Sequence, residues 1–302
     1  LKALAASGEG PGLKADDGTR QRLQAVLADA AASRALMDVL VNAPAEVVGA
    51  AAPTEGPARR ALSDAYGRAL QRLQANPSLS RADRLSALIA RVELQRLGEA
   101  ADTLRPTLPA ALQLEMREAA ALHDREVSDG NERQAVITAA AWGLSRAGLW
   151  AESDALLKAN LAKSHSPYYL MSQLGGNARR QGRPAEALDW YGQAFERASG
   201  GATRLQWGAT YVEALVALAP QDAARIEAAA SAVLREAAGQ GAAFHERSAR
   251  ALQKVSAQLL RWNADGRQAA VVGRLRGQLA PVCAALPASD PQRATCEGLL
   301  KA

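Results

Sequence analysis

Apolar residues recur every three or four positions along most of the chain, which is the spacing of one face of an α-helix. The clearest stripe predicts a helix from Phe244 to Asn263 with one buried side; it consists of Phe244, Ser248, Leu252, Val255, Leu259 and Trp262. Residues that favour strands, such as Val, Ile, Phe and Thr, are sparse beside Ala, Leu, Arg, Glu and Gln. The pattern therefore predicts an all-α fold.

Capping residues place the helix boundaries in the first half of the chain. Asp16 and Asp17 predict a helix that runs to about Ala31, and Ser33 predicts the start of the next helix. Further helices are predicted at Pro44–Ala51, at about Ala58–Leu73, and from the capping residue Ser80 to Gly98.

Two helical hairpins further along the chain repeat at a fixed interval. Their turns lie at Gly148 and Gly182, 34 residues apart. At the same offset Ser153, Leu157 and Leu161 match Ala187, Tyr191 and Phe195. This period is typical of tetratricopeptide repeats, in which small residues let two helices pack closely. We therefore expect a tetratricopeptide-like array of antiparallel helix pairs, a right-handed α-solenoid.

Glycine and proline clusters, together with the extent of the repeat, predict four regions. Residues 1–12 are expected to hold the end of a helix from an upstream domain, LKALAAS, and the linker SGEGPG. Residues 13–130 are expected to form a helical region with degenerate repeats. Residues 131–240 contain the tetratricopeptide-like repeats, and residues 241–302 form the C-terminal helices.

Positive charge is concentrated at the end of the chain. The 302 residues carry a formal net charge of +5, and residues 241–302 contain nine basic and four acidic residues. This excess fits either a patch for an acidic partner or an anionic membrane surface, or ordinary solvated helix faces. Because basic blocks with interleaved aromatic residues are missing, we expect no nucleic-acid partner. No stretch reaches the ~20 apolar residues of a transmembrane segment.

The two cysteines, Cys283 and Cys296, lie 13 residues apart on either side of the last predicted turn. This placement fits a disulfide across an antiparallel helix pair, and it also fits two buried free thiols or a redox-active pair. A disulfide would place the protein in an oxidising compartment. The spacing is neither the C-x-x-C of a catalytic dithiol nor a set of four metal ligands.

The sequence contains no recognisable catalytic site. His123, His165 and His245 form no pair at metal-ligand spacing, and we expect surface positions for all three. The Gly-containing stretches lack the Lys-Ser/Thr of a phosphate-binding loop, and no nucleophile lies in a recognisable elbow. We therefore predict no cofactor and no metal, and enzymatic activity stays open.

A partner-binding groove is the remaining site hypothesis, because the first helices of such pairs line a face that holds peptides or proteins. The repeat offsets place these residues on that face: Trp142, Arg146, Tyr169, Ser172, Arg179 and Arg180, with Thr138, Ser145 and Gly176 beside them. Aromatic rings beside arginines suit an extended segment that carries a carboxylate. The alternative is a solvated face with Trp142 packed between repeats.

A family resemblance is carried by three segments, which read SPYYLMSQLGGNARRQGRPAEALDWYGQAF, ATRLQWGATYVEALVALAPQDAARIE and VCAALPASDPQRATCEGLL. They resemble the helical C-terminal region that follows the thioredoxin domain in some exported bacterial thioredoxin-family proteins. The resemblance covers residues 166–302. It implies a periplasmic location and thiol–disulfide chemistry in an upstream domain, since the C-x-x-C motif of that family is absent from this sequence.

The expected function is therefore a non-catalytic scaffold for a protein or peptide client, as the accessory region of a periplasmic thioredoxin-like protein. One alternative is a free-standing tetratricopeptide adaptor or envelope assembly factor. Another is a redox enzyme that uses Cys283 and Cys296.

Overall fold

The computed structural model describes residues 15–100 and 102–301, so the expected helix end and linker at residues 1–12 lie outside the described residues. The chain divides into two compact units, here unit one and unit two, with the boundary between Ser164 and His165. The described residues form sixteen α-helices and no strand. This confirms the all-α prediction.

The described part of unit one contains α1 (Asp17–Ala28), α2 (Ala30–Ala35), α3 (Met37–Asn42), α4 (Pro44–Ala51), α5 (Pro57–Ala75), α6 (Arg81–Gln95), α7 (Ala110–Glu126), α8 (Gly130–Arg146) and α9 (Trp150–Asn160). Unit two contains α10 (Pro167–Arg180), α11 (Pro184–Arg197), α12 (Gly201–Leu218), α13 (Ala223–Ala238), α14 (Glu246–Trp262), α15 (Ala269–Ala284) and α16 (Pro291–Gly298).

Side-chain caps begin several of these helices where the sequence predicts them. The Asp16 carboxylate accepts a hydrogen bond from the Thr19 amide at 2.7 Å, and the Ser80 hydroxyl accepts one from the Asp83 amide at 3.0 Å. Asp290 caps α16 in the same way, with Pro291 at its first position. Such caps use donors that the first turn leaves unpaired, so they depend on neighbouring residues only.

The predicted helix start at Ser33 is wrong. A cap at Asp29, whose carboxylate accepts from the Ala32 amide at 2.6 Å, begins α2 three residues earlier. Ser33 lies inside α2, is buried, and donates its hydroxyl to the Val26 carbonyl at 2.8 Å. The helix predicted from Asp17 to Ala31 correspondingly ends at Ala28.

Helix α6 connects the two hydrophobic clusters of unit one. Its Ala87, Ala90 and Leu94 belong to a cluster with α1, α4 and α5 around the fully buried Tyr66. Its other side contributes Leu85, Leu88 and Val92 to a cluster with α7 and α8 around Met116. The Tyr66 hydroxyl donates to the Leu40 carbonyl at 3.0 Å, so the buried phenol keeps a hydrogen-bond partner.

The hairpin turns at Gly148 and Gly182 have the same backbone geometry at the predicted 34-residue offset. Both glycines have positive φ, +78° and +70°, which glycine adopts without the steric penalty of other residues. Matching backbone N–H to C=O bonds run from Leu149 to Leu144 and from Arg183 to Ala178, both at 2.9 Å. The turn between the two helices of a pair is thus repeated, once in each unit.

Glycines also allow close helix contacts in unit two. A Cβ on Gly175 would lie 2.9 Å from the Tyr191 ring, and a Cβ on Gly208 would lie 2.5 Å from Val233. Both distances are shorter than normal van der Waals contact. Helix α10 therefore approaches α11, and α12 approaches α13, at distances that a larger residue would prevent.

Candidate functional site

Four of the predicted groove residues lie on α10, and we call them the α10 surface: Tyr169, Ser172, Arg179 and Arg180. They follow the spacing of one helix face. Tyr169 is 39% exposed, both arginines are exposed, and Ser172 is half-buried. Gly176, between them in sequence, leaves this face without a side chain next to the Tyr191 hydroxyl, 3.7 Å from the position of a Cβ.

An aromatic cluster fixes the ring of Tyr169. Its centroid lies 5.0 Å from that of Tyr168 and 5.3 Å from that of Trp207, the latter edge to face. Tyr168 and Trp207 are buried, at 7% and 8% exposure. Edge-to-face rings at this distance attract each other beyond their area of contact. The exposed tyrosine is therefore held in place by buried neighbours.

Two arginines, Arg179 and Arg180, lie at the other end of the α10 surface. Burial raises the pKa of the Tyr191 phenol, and the positive charges of Arg179 and Arg180 oppose this rise. The nearby carboxylate of Glu213 acts in the same direction as burial. The two guanidinium groups thus lie close enough to Tyr191 to stabilise negative charge at this end of α10.

The predicted groove residues of unit one have intramolecular partners. Arg146 forms a two-bond ion pair with Glu93 of α6, with Nη2 to Oε2 at 2.8 Å. Its guanidinium also lies 5.6 Å from the centroid of the Trp142 ring. Ser145 is fully buried and donates to the Trp142 carbonyl at 2.7 Å, while the Thr138 hydroxyl donates to a carbonyl one turn earlier. Trp142 itself is 39% exposed.

Cys283 and Cys296 are at disulfide distance, with Cα atoms 5.5 Å apart. The bond joins α15 to α16, as the placement on either side of the turn allows. Both cysteines are buried, at 4% and 0% exposure. Burial of this degree hinders attack by an external thiol. A cavity of about 300 Å³ lies beside the disulfide, with Arg276 and Lys301 among its lining residues.

The surface prediction for His123 is wrong, whereas His165 and His245 are exposed as predicted. His123 lies on α7 at 8% exposure, and its Nδ1 has no hydrogen-bond partner among the described residues. Burial lowers the pKa of this imidazole, and the positive charges of Arg81 and Arg84 lower it further. Within residues 15–100 and 102–301, no cluster of His, Cys, Asp or Glu could hold a metal ion.

A second recess in unit two was not predicted from the sequence. We call it the α13 groove: a cavity of about 500 Å³ lined by α11, α12 and α13. Its lining includes Gly192, Tyr211, Arg225, Ala228, Ala232 and Arg235. The sequence contains a pattern that could have indicated this face, because five residues of α13 follow helical spacing: Arg225, Ala228, Ala229, Ala232 and Arg235. It lies on the second helix of a pair, outside the first-helix face that the repeat pattern favours.

No protein-family model, curated protein or solved structure matches this chain. None of the helices in residues 15–100 and 102–301 has the length and apolar character that crossing a membrane requires.

Proposed function

We propose that this chain is a non-catalytic scaffold that holds a protein or peptide client at the α10 surface. The observation that supports this proposal best is Tyr169. Its ring is 39% exposed although Tyr168 and Trp207 fix it, and two exposed arginines lie on the same helix face. Tyrosine and arginine are enriched at binding hot spots, because each offers a large contact area and directed hydrogen bonds.

We further propose that the scaffold is the accessory region of a periplasmic thioredoxin-like thiol–disulfide protein, in a tetratricopeptide-like array. The repeated turns at Gly148 and Gly182 support the array. The buried pair Cys283 and Cys296 supports an oxidising compartment, where such bonds persist. The role of this region is to hold a client, and the redox step belongs to a separate domain.

The test combines site-specific crosslinking with charge reversal. A photoreactive phenylalanine analogue at Tyr169 is expected to capture a client in periplasmic extract of the source bacterium. Arg179→Glu with Arg180→Glu should abolish that capture, because both exposed side chains lose the charge that a client carboxylate would bind. The Arg179 guanidinium also hydrogen-bonds Tyr191, so circular dichroism checks that the variant remains folded. The matched control is Arg261→Glu with Arg267→Glu, which makes the same charge change on exposed residues elsewhere in unit two.

Equal capture by the two double variants would show that the α10 surface does not select the client. Loss of capture in both would indicate a general dependence on net charge, which also contradicts the proposal.

A further inference from the structure

The α13 groove has a positive charge at each end and small residues between them. Arg225 and Arg235 lie ten residues apart on α13 and both line the cavity. At a rise of 1.5 Å per residue, their Cα atoms are separated by roughly 15 Å along the helix. Ala228 and Ala232 lie between them on the same face and also line the cavity, so the floor of the groove between the two charges is apolar.

The end at Arg235 has an unused charge. Its Nη1 donates to the Ser231 hydroxyl at 2.9 Å. Among the described residues, no carboxylate lies within ion-pair distance of this guanidinium. Arg204, the third arginine of the lining, pairs instead with Glu236 at 2.7 Å. The lining therefore contains three arginines and two glutamates, and Arg235 has no ion-pair partner among the described residues.

The end at Arg225 is oriented by neutral contacts. Its Nε donates to the Tyr211 hydroxyl at 2.8 Å, and Asp189 lies at ion-pair distance, 3.6 Å from Nη2. The carboxylate of Asp222 also acts on this guanidinium, more weakly than Asp189. The Asp189 side chain is 69% exposed, and such exposed ion pairs contribute little to stability. A carboxylate entering the groove can therefore compete for this guanidinium.

We infer that the α13 groove binds an extended segment of a partner protein with two acidic side chains four residues apart. An extended chain rises about 3.3 Å per residue, so positions i and i+4 are separated by roughly 13 Å and point to the same side. The flexible arginine side chains cover the remaining distance to the two carboxylates. Small residues between the acidic positions fit the alanine floor.

A peptide fits this groove better than a single-stranded nucleic acid does. Nucleic-acid binding of that kind relies on open aromatic faces on which bases stack. Phe195 is buried at 7% exposure, with Arg204 5.5 Å from its ring centroid. Tyr211 is half-buried, lies against Gly192 and binds Arg225. The rings of this groove are engaged in the fold.

The inference is tested with the full chain and a fluorescein-labelled ten-residue peptide, measured by fluorescence anisotropy at 150 mM salt. The peptide carries glutamates at positions four and eight among Gly, Ala and Ser. Its control has the same composition with the two glutamates adjacent. We expect the spaced peptide to bind at least ten-fold more tightly, since only it can bring both carboxylates to arginines.

Three variants separate the groove from general electrostatics. Arg235→Gln should weaken binding roughly ten-fold, the usual effect of losing one charge-assisted hydrogen bond. Ala232→Leu should weaken it similarly by filling the floor while leaving the charge unchanged. Arg267→Gln, at a side chain that is 84% exposed outside the groove, should bind as the unmodified chain does. Circular dichroism confirms that each variant is folded.

The inference would be overturned if the two peptides bound with equal affinity, or if Ala232→Leu bound the spaced peptide as tightly as the unmodified chain does. It would also be overturned if a ten-nucleotide single-stranded RNA bound more tightly than the spaced peptide. It does not depend on the α10 surface. The variant with Arg179→Glu and Arg180→Glu should bind the spaced peptide normally, so failure of the proposed client site and failure of the groove are distinguishable.

Discussion

The close contact between α10 and α11 can be tested by adding one methyl group at Gly175. The Gly175→Ala side chain would place its Cβ 2.9 Å from two atoms of the Tyr191 ring. Tyr191 is 8% exposed, and burial by its neighbours limits how far the ring can move. The substitution therefore either pushes α10 and α11 apart or forces the Tyr191 side chain into an unfavourable rotamer.

The expected free-energy change has two opposing parts. Overpacking of a dense interior costs typically about 1–3 kcal/mol. Alanine in place of glycine inside a helix raises the free energy of unfolding by up to about 1 kcal/mol. We therefore expect Gly175→Ala to lower the free energy of unfolding of unit two by about 1–2 kcal/mol.

Gly273→Ala on α15 is the matched control, because its added Cβ would meet no described atom within 4 Å apart from its chain neighbours and the backbone of its own helix. It should raise the free energy of unfolding by about 0.5–1 kcal/mol. The difference between the two variants isolates the steric cost, since the helix-propensity gain is common to both. The measurement is urea unfolding followed by tryptophan fluorescence and circular dichroism, fitted with separate transitions if the two units unfold separately.

Relief of the contact provides a second control. Tyr191→Leu removes the ring, so adding Gly175→Ala to it should cost much less than in the unmodified chain. If Gly175→Ala stabilises unit two as much as Gly273→Ala does, the close approach of α10 and α11 is not a constraint on this fold.

Two further predictions concern the disulfide and a buried histidine. Replacing Cys283 and Cys296 by alanine should lower the free energy of unfolding by about 3 kcal/mol, on the chain-entropy model for a 13-residue separation. Labelling of either cysteine by maleimide in the native, unreduced protein would contradict the disulfide. Burial holds the pKa of His123 below 6.5 in the folded chain. As the pH falls through this range, the unfolded chain therefore binds more protons than the folded chain does, and the free energy of unfolding should decrease from pH 7 to 5.5. His123→Gln should flatten this slope in urea titrations and His165→Gln should preserve it; equal slopes in both variants would refute the assignment.

Local sequence was sufficient wherever a helix boundary depends on residues within one turn. Asp16 and Ser80 cap their helices as predicted, because the carboxylate or hydroxyl reaches an amide three positions away. The glycines at positions 148 and 182 likewise begin equivalent turns. Ser33 shows the limit of this reasoning: a better-placed cap at Asp29 begins the helix, and the serine hydroxyl binds a carbonyl seven residues earlier.

Contacts distant in sequence decided the candidate sites. The sequence allowed Arg146 to face a partner, and the fold pairs it with Glu93, 53 residues away. The sequence spacing allowed the two cysteines to be a disulfide, two buried free thiols or a redox-active pair. Packing of α15 against α16 brings them to bonding distance. Helical spacing alone would place Arg225 and Arg235 on one face, but only the neighbouring helices show which of them meets a carboxylate.

The sequence by itself determined that this protein is helical, where several helices begin, and which hairpin turn is repeated. These properties follow from the backbone preferences and caps of residues a few positions apart. The tertiary structure decided that His123 is buried, that Cys283 meets Cys296, and that α13 carries an arginine without a carboxylate partner among the described residues. Burial and charge pairing depend on which distant side chains share a space, and that is fixed only when the helices pack.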